Sequence, residues 1–338
     1  MTTVSTSNGK RFEIAVGESL LDAALRADVA LTYSCRTGRC GTCKGQVRDG
    51  STTALHDELG LTAAEQAAGW ILTCVRSAET DIELEVEDLG DLRLFHAKTL
   101  PCRIHALDHL SADIVKVVLR LPPTSNFEFH CGQYIDVIGH AGLRRSYSIA
   151  SAPNPEKHIE LHIRRVPGGA MSEYWFEQAK VNDLLRLNGP LGTFFLRDVA
   201  GLDLVFLATG TGMAPVKAIL EGLARSPQTH GARSVSVFWG GRVEADLYWD
   251  ARNAGVEHDF IPVLSRADDR WHGARGHVQQ ALLGQARDWQ RTAVYACGSE
   301  TMIHGARQLL VDAGLNERRF LSDAFVCSAG AAETLETP

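Results

Sequence analysis

The 338-residue chain has no apolar run long enough to cross a bilayer; "LVFLA", starting at Leu204, falls far short of the ~20 residues that a spanning helix needs. Its start, "MTTVSTSNGKRFEIAVGESL", lacks the apolar stretch behind basic residues that marks a secretory leader, so a cytoplasmic protein with no membrane partner is expected. Basic excess is missing too. Lys and Arg number 34 against 41 Asp and Glu, and the net charge of −7 argues against a nucleic-acid partner. The length suggests two or three domains, and 45 % hydrophobic residues are enough to give each its own core.

Cysteine is what the chain does have, eight residues of it. In a reducing compartment these are not expected to form a disulfide framework, so a close group of them points to metal binding or redox chemistry. Within "YSCRTGRCGTCKGQ", Cys35, Cys40 and Cys43 read C-x4-C-x2-C, and Cys74 follows in "WILTCVRS". This is the plant-type 2Fe–2S spacing, with three ligands on one loop and the fourth from a distant segment. Glycines between the ligands let the loop turn its N–H groups toward the sulfurs. Zinc would favour two paired C-x2-C units, and Cys74 has no cysteine or histidine close by. Before the loop, the pattern predicts a strand, a turn at Gly17 and a helix through Leu20, Leu21, Ala24 and Leu25. After Cys74, "TDIELEVED" alternates Ile82, Leu84 and Val86 with acidic residues, as a strand with one solvated face does. Residues 1–92 therefore resemble a plant-type ferredoxin domain, which implies a β-grasp fold.

The segment "EDLGDLRLFHAKTLP" loses the strand pattern, and a linker is expected around residues 91–100. From 100 to 199, short apolar runs alternate with Gly, Pro and Asn, which predicts an antiparallel β-barrel. Within it, Arg145, Tyr147 and Ser148 of "RRSYS" resemble the flavin signature of the ferredoxin–NADP reductase family. That resemblance implies an FAD site in which the arginine meets a phosphate, the tyrosine stacks on the isoalloxazine and the serine stands catalytically at its N5 edge. It extends to His162, Ile163 and Arg164 of "LHIRRVPGGAMS". There Gly169 and Ser172 would bracket a helix start facing the flavin pyrophosphate, an anion site by dipole and free N–H groups.

Residues 200–328 read as a parallel α/β domain. "LDLVFLATGTGMAPVKAILEGLAR" gives a buried strand, a turn through Gly210, Thr211 and Gly212, and a helix from about Ala214 with Pro215 in its first turn. Family resemblance makes this the nicotinamide-nucleotide domain. It also places Cys297 and Gly298 of "YACGS" at the nicotinamide, Cys297 as a catalytic residue, and Phe325 of "LSDAF", beside Asp323, near the flavin. Cys102, Cys131 and Cys327 read as structural, and 329–338 as a disordered tail.

Nicotinamide gives two electrons, a 2Fe–2S cluster carries one, and a flavin mediates between them. The whole chain resembles the iron–sulfur flavoprotein reductases, among them benzoate and naphthalene dioxygenase reductases and CDP-6-deoxy-glucoseen reductases. The implied route is NADH to FAD to the cluster to a one-electron acceptor protein. The leading expectation is the reductase component of a multicomponent aromatic-ring-hydroxylating oxygenase, serving the oxygenase or its ferredoxin. The second is an electron donor to a pyridoxamine-phosphate dehydratase in deoxysugar biosynthesis, and the third a cluster-based redox sensor. NADH is expected over NADPH: Arg242 suits a 2′-phosphate, but Glu244 and Asp246 nearby oppose added negative charge.

Overall fold

Ser19 opens the first helix by accepting a hydrogen bond from the Asp22 N–H at 3.0 Å, a cap worth about 1 kcal/mol. The computed structural model describes residues 2–90, 92, 94–139, 142–225 and 231–325; Cys327, the 329–338 tail and linker positions 91 and 93 lie outside them. The first unit comprises β1 (Thr2–Thr6), β2 (Arg11–Ile14), α1 (Leu20–Arg26), β3 (Lys44–Asp49), β4 (Thr52–Ala54), α2 (Ala63–Ala67), β5 (Trp70–Leu72), β6 (Arg76–Ala78) and β7 (Ile82–Val86). Its mixed sheet runs β2-β1-β7-β3-β5, with β1 and β7 parallel. Helix α1 buries Leu20, Leu21, Ala23 and Ala24 against Val4, Phe12, Ile82 and Leu84 in one core, the β-grasp arrangement. On β7 the alternation is as read: Ile82 and Leu84 face in, and Glu83 and Glu85 face out.

The second unit is antiparallel, with β8 (Lys98–Ser111), β9 (Ile114–Arg120), β10 (Tyr134–Ile138), β11 (Arg144–Ser148), β12 (His158–Arg164), the short α3 (Ala170–Glu173) and β13 (Leu184–Leu191). The strand order is β11-β10-β13-β8-β9-β12. Beyond β11, an Ile149–Leu161 bridge and the Ala150 N–H donating to the Glu160 carbonyl at 2.7 Å close the sheet on itself as a barrel. The period of two on β12 sends Ile159, Leu161 and Ile163 into the barrel core, leaving Glu160, His162 and Arg164 on the opposite face. The helical stretch after Gly169 begins earlier than "SEYWFEQAK" suggests and widens into a π-helical turn over Tyr174–Gln178.

The third unit holds β14 (Asp203–Thr209), α4 (Met213–Arg225), β15 (Ser234–Gly241), β16 (Asp259–Leu264), β17 (Ala274–Arg275), α5 (Val278–Leu283), β18 (Thr292–Ser299), α6 (Glu300–Asp312) and β19 (Phe320–Phe325). All pairs are parallel, in the order β17-β16-β15-β14-β18-β19. The chain leaves β14 for β15 on one side and later returns to β18 on the other. The ends of β14 and β18 therefore flank a topological switch point, where α/β sheets bind ligands. Among the described residues, no helix is long and apolar enough to cross a membrane.

Candidate functional site

The four predicted ligand cysteines come together as two pairs. The Cys40 thiol is hydrogen-bonded to Cys35, and Cys43 to Cys74. The bond from Cys40 holds the Cys35 thiol down at about 4, against burial and with help from the Thr37 and Arg39 backbone; the Thr37 N–H lies 3.4 Å from the sulfur. Cys40 is pushed up in turn by the same bond and by burial, and Cys43 by Cys74 and burial. Among the described residues no three His, Cys, Asp or Glu side chains converge as a single-ion site. Thiols in twos fit a 2Fe–2S cluster, in which each iron takes two protein ligands, better than a lone zinc, which draws four to one point.

On the barrel, Arg145, Tyr147 and Ser148 lie on β11, the strand beside the seam where the sheet closes toward β12. Tyr147 is half-buried, edge-on to Trp175, whose Nε1–H donates to the Tyr147 hydroxyl at 3.0 Å. Trp175 belongs to the helical turn that starts at Gly169, so the two flavin motifs meet in space. Arg145 has no acidic partner among the described residues; its guanidinium donates to the Arg144 carbonyl at 2.7 Å. The Ser172 hydroxyl is buried and accepts from the Val166 N–H at 2.9 Å, which ties the turn before the helix to its first residues. Two predicted residues point elsewhere. The Ile163 side chain is in the barrel core, and the buried His162 ring is engaged by Glu160 at 2.7 Å and by the Tyr248 hydroxyl at 3.2 Å. Strand periodicity explains the split between them. The facing domain, which a single strand does not reveal, explains where His162 turns.

Arg164, on the same face as His162, reaches the nucleotide sheet. Its Nη1 would stand 3.0 Å from a Cβ added to Gly210, and its Nε and Nη2 are buried without a hydrogen bond, Asp113 and Asp246 lying at 3.2 and 3.8 Å. A guanidinium over a glycine turn, ion-paired to Asp113 and Asp246 but with two buried nitrogens outside any hydrogen bond among the described residues, fits the phosphate of a bound dinucleotide. Gly210, Thr211 and Gly212 form a 3-10 turn leading into α4, which starts at Met213 with Pro215 in its first turn. The Trp239 indole fixes the turn by donating to the Gly210 carbonyl at 3.0 Å. Gly212 is required by contact: a Cβ there would come within 2.2 Å of the Cys297 carbonyl oxygen. The β14 turn and the Cys297–Gly298 end of β18 thus touch backbone to backbone at the switch point. Phe325 ends β19, paired with Ser299.

Asp323 gathers the three units. Its carboxylate accepts from Ser34 Oγ of the first at 2.5 Å, lies 3.5 Å from Ser148 Oγ of the second and 4.0 Å from Cys297 Sγ of the third. Burial lifts its pKa to about 6, and burial together with the Asp323 carboxylate pushes the Cys297 thiol up. The sequence places Asp323 with Phe325 near the flavin but gives no signal for Ser34. A second buried network joins barrel and nucleotide sheet: Lys217 of α4 reaches Glu160 at 3.1 Å, Glu221 at 2.5 Å and the Ala150 carbonyl at 3.0 Å.

Comparison with known proteins matches the three units in turn. A 2Fe-2S iron-sulfur cluster binding domain covers residues 5–79, an oxidoreductase FAD-binding domain 101–196 and an oxidoreductase NAD-binding domain 206–308. The CDP-6-deoxy-L-threo-D-glycero-4-hexulose-3-dehydrase reductase of Yersinia pestis is 42 % identical over 92 % of this chain and 94 % of its own. Reductase component 1 of a Comamonas terephthalate 1,2-dioxygenase is 31 % identical over 94 % and 95 %. The crystal structure of an Amycolatopsis cytochrome P450 reductase superposes with a TM-score of 0.76 at 31 % identity, covering 96 % and 99 %. Cluster, flavin and nicotinamide domains on one chain define an electron-transferring oxidoreductase. The chain belongs to the iron–sulfur flavoprotein reductases and is NAD(P)H-dependent, with FAD and a 2Fe–2S cluster.

Proposed function

We propose that this reductase passes electrons from NADH to a pyridoxamine-phosphate dehydrase acting on a nucleotide-linked deoxyhexulose. The observation that carries this is the 42 % identity to the Yersinia dehydrase reductase over nearly the full length of both chains, against 31 % to the terephthalate dioxygenase reductase. The latter, also full-length, supports the oxygenase reading as the second. The test is reconstitution with NADH and a purified CDP-6-deoxyhexulose dehydrase. Product formation that needs both proteins is expected; electron delivery to an aromatic-ring oxygenase but not to the dehydrase would overturn the reading. The protein's place of work on this reading is the cytoplasm.

When bound, the nicotinamide supplies a hydride, the flavin divides its two electrons, and the cluster delivers them singly. Cys35 with Cys40 would hold one iron, and Cys43 with Cys74 the other. Arg145, Tyr147, Ser148 and the turn from Gly169 to Ser172 would hold FAD, Ile163 contributing only its backbone, and His162 bracing the strand from the far side. Arg164, Gly210, Thr211, Gly212 and Pro215 would seat the dinucleotide, with Cys297 and Gly298 around the nicotinamide and Phe325 near the flavin. Ser148, Cys297 and Asp323 close this junction to water, since Cys297 is fully buried and Asp323 and Ser148 nearly so. In the coenzyme pocket, Asp246 accepts from the Arg242 and Val243 N–H groups at 2.7 and 3.2 Å, taking up donors that a 2′-phosphate would need. A higher kcat/KM for NADH than for NADPH is expected, and the reverse would overturn that preference.

A further inference from the structure

The segment that leads into Cys35 is held from outside its own domain. Thr193, just after β13, accepts from the Tyr33 N–H at 2.9 Å through its hydroxyl and donates its N–H to the Tyr33 carbonyl at 3.0 Å. The Tyr134 phenol, from the start of β10, donates to the Ser34 carbonyl at 2.7 Å, and Ser34 Oγ is taken by Asp323. Tyr33, Ser34, Tyr134, Thr193 and Asp323 are all buried. The carbonyl that receives the phenol belongs to the peptide joining Ser34 to Cys35. At its other end, Tyr134 stands opposite Ser148 in the β10–β11 ladder. One hydrogen bond thus links the flavin-motif strands to a cluster ligand.

The joint is built for that contact. Gly192 leaves room for the Tyr134 ring, which an added Cβ would meet at 2.8 Å, and its carbonyl accepts from Gln133 Nε2 at 2.8 Å. Leu94 and Phe95 of the linker are packed down as well. Leu94 lies on the ferredoxin core, and the Phe95 ring is 4.9 Å from His130, which stacks on Phe195 at 4.4 Å.

We propose that Tyr134 is a positioning residue for the internal electron step, fixing the Ser34–Cys35 peptide against the flavin strands so that the ferredoxin domain stays docked throughout turnover. The proposal rests on Cys35 being a cluster ligand. Each turnover takes two electrons from the coenzyme as hydride and releases one proton to solvent. Two single-electron passages through the cluster reduce two equivalents of acceptor, with no bond made or broken at Tyr134. Undocking would break the Tyr134, Thr193 and Asp323 hydrogen bonds together, each in buried surroundings where an abandoned partner is costly.

The test uses the full-length holoenzyme carrying Tyr134→Phe, with Thr193→Val as an independent variant that attacks the same segment. Anaerobic stopped-flow mixing with NADH gives the rate of cluster bleaching relative to flavin bleaching, and hydrogen exchange reads the peptide covering Tyr33 to Cys35. In each variant the rate ratio should fall about fivefold or more, and exchange should quicken by a similar factor. An unchanged ratio or unchanged exchange in both variants overturns the proposal. Iron and sulfide analysis keeps its failure apart from that of the ligand reading. Wild-type protein that binds no two-iron cluster overturns the reading of Cys35, whereas an occupied cluster with unaltered kinetics overturns the role of Tyr134 alone.

Discussion

Ser34 and Asp323 lie 289 positions apart in the chain, yet the hydroxyl of one donates to the carboxylate of the other at 2.5 Å in a buried junction. Ser34→Ala would leave that carboxylate with the more distant Ser148 hydroxyl and Cys297 thiol. A loss of about 2 kcal/mol in unfolding free energy is expected, typical of a buried hydrogen bond to a charged group. Urea unfolding followed by tryptophan fluorescence measures it; a midpoint unchanged from wild type would show that the bond contributes nothing net.

Glu160 gives the acid limb of stability. Burial alone would raise its carboxyl, but the hydrogen bond from His162 and the charge of Lys217 outweigh burial and hold it at about 2, down from 4.5. Burial meanwhile lowers His162 in spite of Glu160, so Lys217 is the counter-charge at neutral pH. A carboxylate depressed in the folded state contributes stability above its unfolded pKa and loses it as pH falls toward the folded value. Glu160→Gln should therefore cost about 2 kcal/mol at neutral pH and flatten the decline between about pH 4.5 and 2. A pH series of unfolding midpoints checks both, and an acid limb as steep as that of wild type would count against the assignment.

Gly212→Ala tests the backbone contact at the switch point. The new methyl meets the Cys297 carbonyl oxygen at 2.2 Å, and the atoms around it are backbone, which a side-chain rotation cannot relieve. Destabilisation of about 1–3 kcal/mol is expected from overpacking. Because the turn is also the proposed seat of the dinucleotide, KM for NADH should rise at least about tenfold. Steady-state kinetics and a thermal melt on one preparation are sufficient.

Asp246→Ala should move coenzyme preference. It frees the Arg242 and Val243 N–H groups and removes a carboxylate 3.8 Å from Arg164. The ratio of kcat/KM for NADPH over NADH should increase about tenfold, the scale of one charge-assisted hydrogen bond. An unaltered ratio would place the selectivity elsewhere in the pocket.

What the sequence made legible was local. Cys35, Cys40 and Cys43 announce themselves by spacing, and the Gly210 turn by its place between a buried strand and a helix. Ile163 was assigned with its neighbours to the flavin, although period two already sets its side chain opposite to theirs. His162 needed more than periodicity: its partner Tyr248 comes from another domain, and no pattern within β12 reports which surface packs across it. Asp323, Thr193 and Tyr134 were illegible as a group because their contacts are with Ser34 and Tyr33, made only once three separately folded sheets have met. The electronic junction is a property of domain packing, and motifs describe single domains.

The packed linker has a kinetic corollary. With Leu94 seated on one core and Phe95 against the ring of His130, the docking proposed above would spare cluster and flavin any search for one another by diffusion. Ionic strength, which governs how charged proteins meet, has no encounter to act on inside the molecule. Added salt therefore bears on the reductase where it meets separate molecules, at coenzyme binding and at the outward step to the acceptor protein.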